Sequence, residues 1–176
     1  MSIAMNTGVS ELWRKAAVWI SGFLLVSVGG VTMVMQSEDV RTTAYPDPAT
    51  KGAPWTICWG HTGPEVHKGL TVSIDQCRVW LRDDLKKAQD VITRSVRVPL
   101  RQGEMDAYAS FVFNVGGGNW RSSTLLRKLN AGDHFGACNE LPRWIYANRM
   151  EMKGLRKRRT EERDVCLSGG AYVYRP

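Results

Sequence analysis

Glu38, Asp47 and Thr56 follow one another along SEDVRTTAYPDPATKGAPWTICWGHTG, the run from Ser37 to Gly63. Cleaving the bond between two sugars calls for a carboxylic acid that protonates the departing oxygen and a second carboxylate that directs water or attacks the anomeric carbon. Glu38 and Asp47 carry the groups for those roles, and the Thr56 hydroxyl could hold the water. Trp55, Trp59 and Gly60 offer a sugar a flat surface and a close backbone approach. Two acids at this spacing are weak evidence alone, because most such pairs are solvated surface charges.

These residues must be positioned by the elements around them. Ala49-Thr50-Lys51-Gly52 reads as the widened part of a hairpin, and Ser73-Ile74-Asp75-Gln76 as a capping box opening a long helix towards Ser95. Pro99 interrupts the chain. Further helices are expected at Gln102 to Val115, Ser123 to Asn130, Asp133 to Tyr146 and Lys153 to Leu167. Gly116-Gly117-Gly118 reads as a stop and Asp133 as an N-cap. The expected fold class is α+β: a small β-rich lobe, a larger helical lobe and a cleft between them. Trp120, Trp144 and Tyr146 are read as packing residues, and Ala171 to Pro176 as a loose tail.

The same stretch, together with the chain downstream of it, resembles the phage-type lysozymes, the T4-lysozyme-like endolysins of glycoside hydrolase family 24. The shared pattern is Glu38, Tyr45 and Asp47, then Thr56 and Gly60-His61-Thr62. It continues in SFVFNVGGGNWRSSTLLRKLN, ACNELPRWIYA and KGLRKRRTEERDVCL, in order, over nearly everything after Ser37. The similarity is closest to lambdoid-phage endolysins that carry an N-terminal signal-anchor. Two departures stand out: Asp39 replaces the family's glycine, and the interval from Asp47 to Thr56 is wider. The resemblance implies a lysozyme-like fold and an inverting muramidase that causes host lysis. Glu38 would be its general acid, with Asp47 and Thr56 positioning water.

The resemblance also implies that His61 is structural and pairs with a carboxylate on the next helix, Asp84 first and Asp83 second. Asn114 falls where the family has a polar residue facing the cleft, and Arg158 or Arg159 could orient Glu38. A surface Asn and solvated arginines are the plain readings of the same residues.

Residues 16–37 contain no charge, are apolar early, and then carry Ser21, Gly22, Ser27, Gly29, Gly30 and Thr32. That length can cross a bilayer, although its preference for lipid is marginal. Arg14 and Lys15 before it and Glu38 and Asp39 after it put the N-terminus in the cytoplasm and the remainder across the inner membrane. Three readings compete, a permanent anchor, a cleaved signal peptide and a signal-anchor that later leaves the membrane; weak hydrophobicity favours the last, with cleavage as the main rival. The domain reading is residues 1–37 as releasable anchor, 38–170 as the catalytic domain and 171–176 as tail.

The chain has 176 residues, 43% hydrophobic content and a net charge of +7, enough for one domain and suited to an anionic partner such as peptidoglycan or a membrane surface. The run Arg156-Lys157-Arg158-Arg159 is followed by Glu161, Glu162 and Asp164. It reads as a solvated helix face, so no nucleic acid is expected. Four cysteines in an exported chain favour disulfides, with three possible pairings. Cys58 to Cys77 would couple the hairpin to the next helix, and Cys138 to Cys166 would tie two C-terminal helices. Metal-ligand spacing is absent, and no cofactor is called for. A monomer is expected, with room for a functional link to a holin. The alternatives are a lytic transglycosylase and a non-catalytic wall-binding or membrane-binding protein.

Overall fold

The structure, a computed structural model, describes residues 25–46, 54–147, 149–174 and 176. Asp47, the expected hairpin tip and residues 1–24, on which most of the expected anchor falls, lie outside the described residues.

The chain enters as a helix, α1 (Val28–Ser37), that runs straight into Glu38. It is followed by an antiparallel hairpin, β1 (Arg41–Pro46) and β2 (Trp55–Cys58), in which Tyr45 faces Thr56. The long helix α2 (Ile74–Ser95) comes next, its first turn closed by Ser73, whose side chain accepts from the Gln76 N–H. A short strand β3 (Leu100–Arg101) then leads into α3 (Gln102–Ser122).

One expectation is extended and another corrected in this region. The helical run breaks after Val115 as expected, at Gly116, which leaves helical geometry at φ 79°, but a second helical stretch follows the kink and carries α3 on to Ser122. Fully buried Trp120 anchors that last turn by packing on Tyr108 and Phe111 and donating to Ser95 Oγ. The segment from Asp133 is not one helix. It ends as α5 (His134–Cys138) and passes through a 3₁₀ turn (Leu141–Arg143) to β4 (Tyr146–Ala147). Pro142 explains the break, because its ring would collide with the carbonyl of Cys138 four residues back. Tyr146 is consequently 63% exposed, not a packing residue, while Trp144 sits edge-on to Phe111.

Between these elements lies α4 (Thr124–Asn130), capped by Ser123. β5 (Met150–Glu151) pairs with β4, and α6 (Lys153–Ser168) packs along α3. Gly103 permits that approach: a Cβ on it would lie 2.2 Å from the Val165 carbonyl oxygen. The expected tail is instead a strand, β6 (Tyr172–Tyr174), antiparallel to β3. Amide groups at the start of α3 need acceptors, and Ala171 O and Gly169 O provide them for Gln102 and Gly103.

One apolar core surrounds α3, from Tyr108 and Phe111 to Leu125, Leu129 and Leu141. A second lies beneath the hairpin and includes Ala44, Ile57, Trp59, Leu81 and Leu85. α1 joins them: Val26, ahead of it, is buried in the first, Val34 in the second, and Val31 touches both. Burying each of Val26 and Val34 is worth roughly 1.5–3 kcal/mol. In this form the second half of the uncharged N-terminal stretch is therefore structural material of the domain.

Candidate active site

Glu38 is the C-cap of α1 and stands where that helix gives way to the hairpin. Its carboxylate meets the guanidinium of Arg158, which donates from Nη1 to Oε1. Arg158 comes from α6 and is only 4% exposed. Its Nε donates to Glu162 Oε1 at 3.1 Å, and its Nη2 to the Ser110 carbonyl at 3.1 Å. The planar fork of arginine is thus spread over three acceptors, which holds the head group that contacts Glu38.

Arg159 takes a different course. It donates to the other Glu162 oxygen, to Trp144 O and to Asn114 Oδ1, and it lies over the Phe111 ring at 4.8 Å. Burial pulls its pKa down, although the nearby Glu162 charge opposes that. Of the two arginines considered at Glu38, the structure puts Arg158 in contact with it and Arg159 on Asn114. Asn114, exposed on α3, is held at its carbonyl oxygen by that contact.

The basic run is therefore not wholly a solvated face. Arg156 and Lys157 are exposed, but Arg158 and Arg159 are buried around Glu162, itself 0% exposed. Composition alone makes Glu162 a surface acid and gives no role to Ser110, which donates to it at 2.7 Å. The signal for Glu162 is its spacing from Arg158, one helical turn away on the same face of α6.

Thr56 lies on β2 and is 6% exposed. Its Oγ1 is buried and makes no hydrogen bond to the described residues. Such hydroxyls normally have a partner. Asp47, just beyond β1, lies outside the described residues.

His61 comes after the turn that ends β2 and is 4% exposed. Its ring stacks on Trp80 at 4.5 Å, with Nδ1 at 2.6 Å from Asp84 and Nε2 at 2.8 Å from Glu65. Burial by itself would lower its pKa. The hydrogen bonds and charges of Asp84 and Glu65 outweigh that and raise it. Burial likewise pushes Asp84 up, and its bonds to His61 and Lys87 bring it below the ordinary carboxylate value. Asp83 is not part of the pair and lies beside Arg82. A pocket of about 300 Å³ borders this corner, lined in part by Gly60, Thr62, Lys87 and Phe113. Glu38 and Thr56 are not among its lining residues.

Cys58 is bonded to Cys77, tying β2 to α2, and Cys138 to Cys166, tying α5 to α6. Among the described residues no group of His, Cys, Asp and Glu side chains could hold a metal ion.

A helical body with small antiparallel sheets, and an acid delivered at a helix end into an arginine-lined site, define a lysozyme-like protein. The phage lysozyme family profile matches residues 35–162, and the chain belongs to that family. It is 40% identical to a SAR-endolysin of Bacteriophage PS119 over 96% of this chain and 98% of that protein. A mutant of P22 lysozyme superposes with a TM-score of 0.72 at 34% identity, covering 82% of this chain and 99% of the other. The active form of P1 phage endolysin Lyz shares the fold, with a TM-score of 0.75 at 23% identity over 95% of this chain and 97% of the other. The protein is a lysozyme-type glycoside hydrolase, a phage endolysin.

Proposed function

We propose that the enzyme is a muramidase that hydrolyses the β-1,4 bond between N-acetylmuramic acid and N-acetylglucosamine of peptidoglycan. Glu38 protonates the leaving oxygen. Asp47 and Thr56 hold the water that attacks the opposite face of the sugar, with inversion, and Asn114 contacts an acetamido group. Arg158 orients Glu38. The observation that carries this reading is the Glu38 carboxylate held by a buried arginine that Glu162 and Ser110 hold in turn. The buried Thr56 hydroxyl, free of the described residues, supports a role in binding water. His61 with Asp84, and the two disulfides, serve stability.

Residues 16–37 serve first as an inner-membrane anchor, with the N-terminus cytoplasmic and the remainder periplasmic, and residues 38–170 form the catalytic domain. Among the described residues no helix is long and apolar enough to cross a membrane. While the segment is in the bilayer, Glu38 is held at headgroup level and cannot face Asp47. Release lets the segment fold as α1 and delivers Glu38 to Arg158, so that membership of the membrane controls activity. The SAR-endolysin name of the PS119 relative supports this order of events. The enzyme works as a monomer, and a holin that collapses the membrane potential fits the route as trigger.

The test is mass spectrometry of fragments that the full-length chain releases from purified peptidoglycan, recorded together with the mass of the protein. Reducing muramic-acid ends and an uncleaved chain are expected. Anhydro ends would mean a transglycosylase, and activity retained by Glu38→Gln would remove Glu38 from the mechanism.

A further inference from the structure

The start of α1 is received by a buried polar seat well away from the catalytic residues. The Ser27 N–H donates to Asp106 Oδ1 at 2.7 Å, and the Ser27 hydroxyl donates to Asp106 Oδ2 at 2.5 Å. The same hydroxyl oxygen accepts from the Gly30 N–H at 3.2 Å, capping the helix. Gln102 Nε2 donates both to Asp106 Oδ1 and to the Leu25 carbonyl, each at 2.9 Å. Gln89 Oε1 accepts from the Leu25 N–H at 2.6 Å. Asp106 and Gln89 are 5% and 8% exposed. Gly30 lies so close that a Cβ there would stand 2.8 Å from Asp106 Oδ1.

We propose that Asp106, with Gln89 and Gln102, is the receptor for the turn Leu25 to Gly30, and that Asp106 acts as a positioning residue for catalysis by setting the register of α1. The apolar contacts of Val31 and Val34 hold the helix against the body but are non-directional. A slip by one residue moves a helix about 1.5 Å along its axis and turns it by roughly 100°. Such a slip would carry Glu38 off Arg158. The paired hydrogen bonds at Ser27 and the close approach at Gly30 forbid it, one helix length, about 15 Å, from the acid they position.

This inference rests on Glu38 being the acid, as proposed above, and concerns the folded soluble chain however its N-terminus arrived there. The test uses full-length soluble protein and measures kcat, KM and amide hydrogen exchange across residues 28–37. Alanine is a better helix former than glycine. If α1 needed only to be helical, Gly30→Ala would slow exchange and leave kcat unchanged, and that result would overturn the proposal. The expected result is faster exchange in α1 but not in α2. With it, kcat should fall by about 10-fold to 100-fold while KM stays within about twofold, as misplacement of a catalytic group predicts.

Asp106→Asn keeps an acceptor for the Ser27 N–H and should recover most of the activity that Asp106→Ala loses. Losses in Ser27→Ala and Asp106→Ala should be less than additive in the double variant, and additive losses would argue against a shared seat. Should Asp106→Ala fail to fold, Gly30→Ala and Ser27→Ala carry the test alone. Glu38→Gln separates the two ideas: it leaves the seat intact, so exchange in α1 should not change. Activity in that variant would refute the acid assignment and not the seat.

Discussion

Arg158 illustrates how much one side chain does at this site. It reaches Glu38, Glu162 and the Ser110 carbonyl at once, through separate nitrogens. A lysine keeps the charge but has a single ammonium and no fork. Arg158→Lys should therefore lower kcat by about 10-fold to 100-fold through loss of Glu38 orientation, with KM little changed. Because the Ser110 carbonyl and Glu162 would lose buried donors, stability should fall by roughly 1–3 kcal/mol, read by thermal denaturation.

His61 gives the pH counterpart. Its folded pKa is raised above the ordinary value of 6.5, so its contribution is complete below about pH 6.5 and is lost as pH climbs through the folded value. Asp84 is lowered from 3.8, so its contribution is present above that value and fades only as pH falls through the folded one. The pair should hold best between those limits. Asp84→Asn should return the His61 titration, tracked by NMR, towards or below 6.5 and flatten the loss of stability above neutrality. An identical titration in wild type and variant would remove the pair from the account.

At the scale of elements, the proposed release mechanism places two demands on the sequence of α1. Ser27 and Gly30 are weakly suited to lipid, and both are used in the folded domain, at the cap and at the close approach to Asp106. Gly29 is exposed, but a Cβ there would lie 3.3 Å from the Ser27 hydroxyl, while Gly22 lies outside the described residues. Gly22→Leu should therefore make the proposed anchor greasier without touching the turn Leu25 to Gly30. The expected outcome is protein retained in the membrane fraction, with lysis delayed and domain stability preserved. Lysis at the normal rate with normal fractionation would defeat the release mechanism.

Capping and turn chemistry are readable at this scale: Ser73, Ser123 and Asp133 each accept from the amide three residues on. The failures have physical causes. Pro142 ends a helix that apolar periodicity would prolong, and a strand forms at the C-terminus because unsatisfied amides at the start of α3 need acceptors.

For the whole molecule, the two disulfides close loops of 19 and 28 residues. Cys138 lies 3.7 Å from the buried Tyr108 hydroxyl, so its bond braces α5 and α6 against the helical core. Replacing Cys138 and Cys166 with serine should cost about 3 kcal/mol, or roughly 6–12 °C in Tm, with kcat at moderate temperature little affected. Calorimetry of the wild type and the double variant would check it.

What the sequence determined by itself was local or patterned: the spacing of Glu38, Asp47 and Thr56, the helix caps, the uncharged N-terminal stretch and the family those features mark. What only the tertiary structure decided was which of several like residues meet. Arg158 and Arg159 are neighbours of equal charge, and helical phase alone sends one to Glu38 and the other to Asn114. Ser27 and Asp106 are 79 positions apart, so no local pattern joins them. Short-range interactions leave their mark within a turn of chain, whereas long-range contacts depend on how the helices pack together.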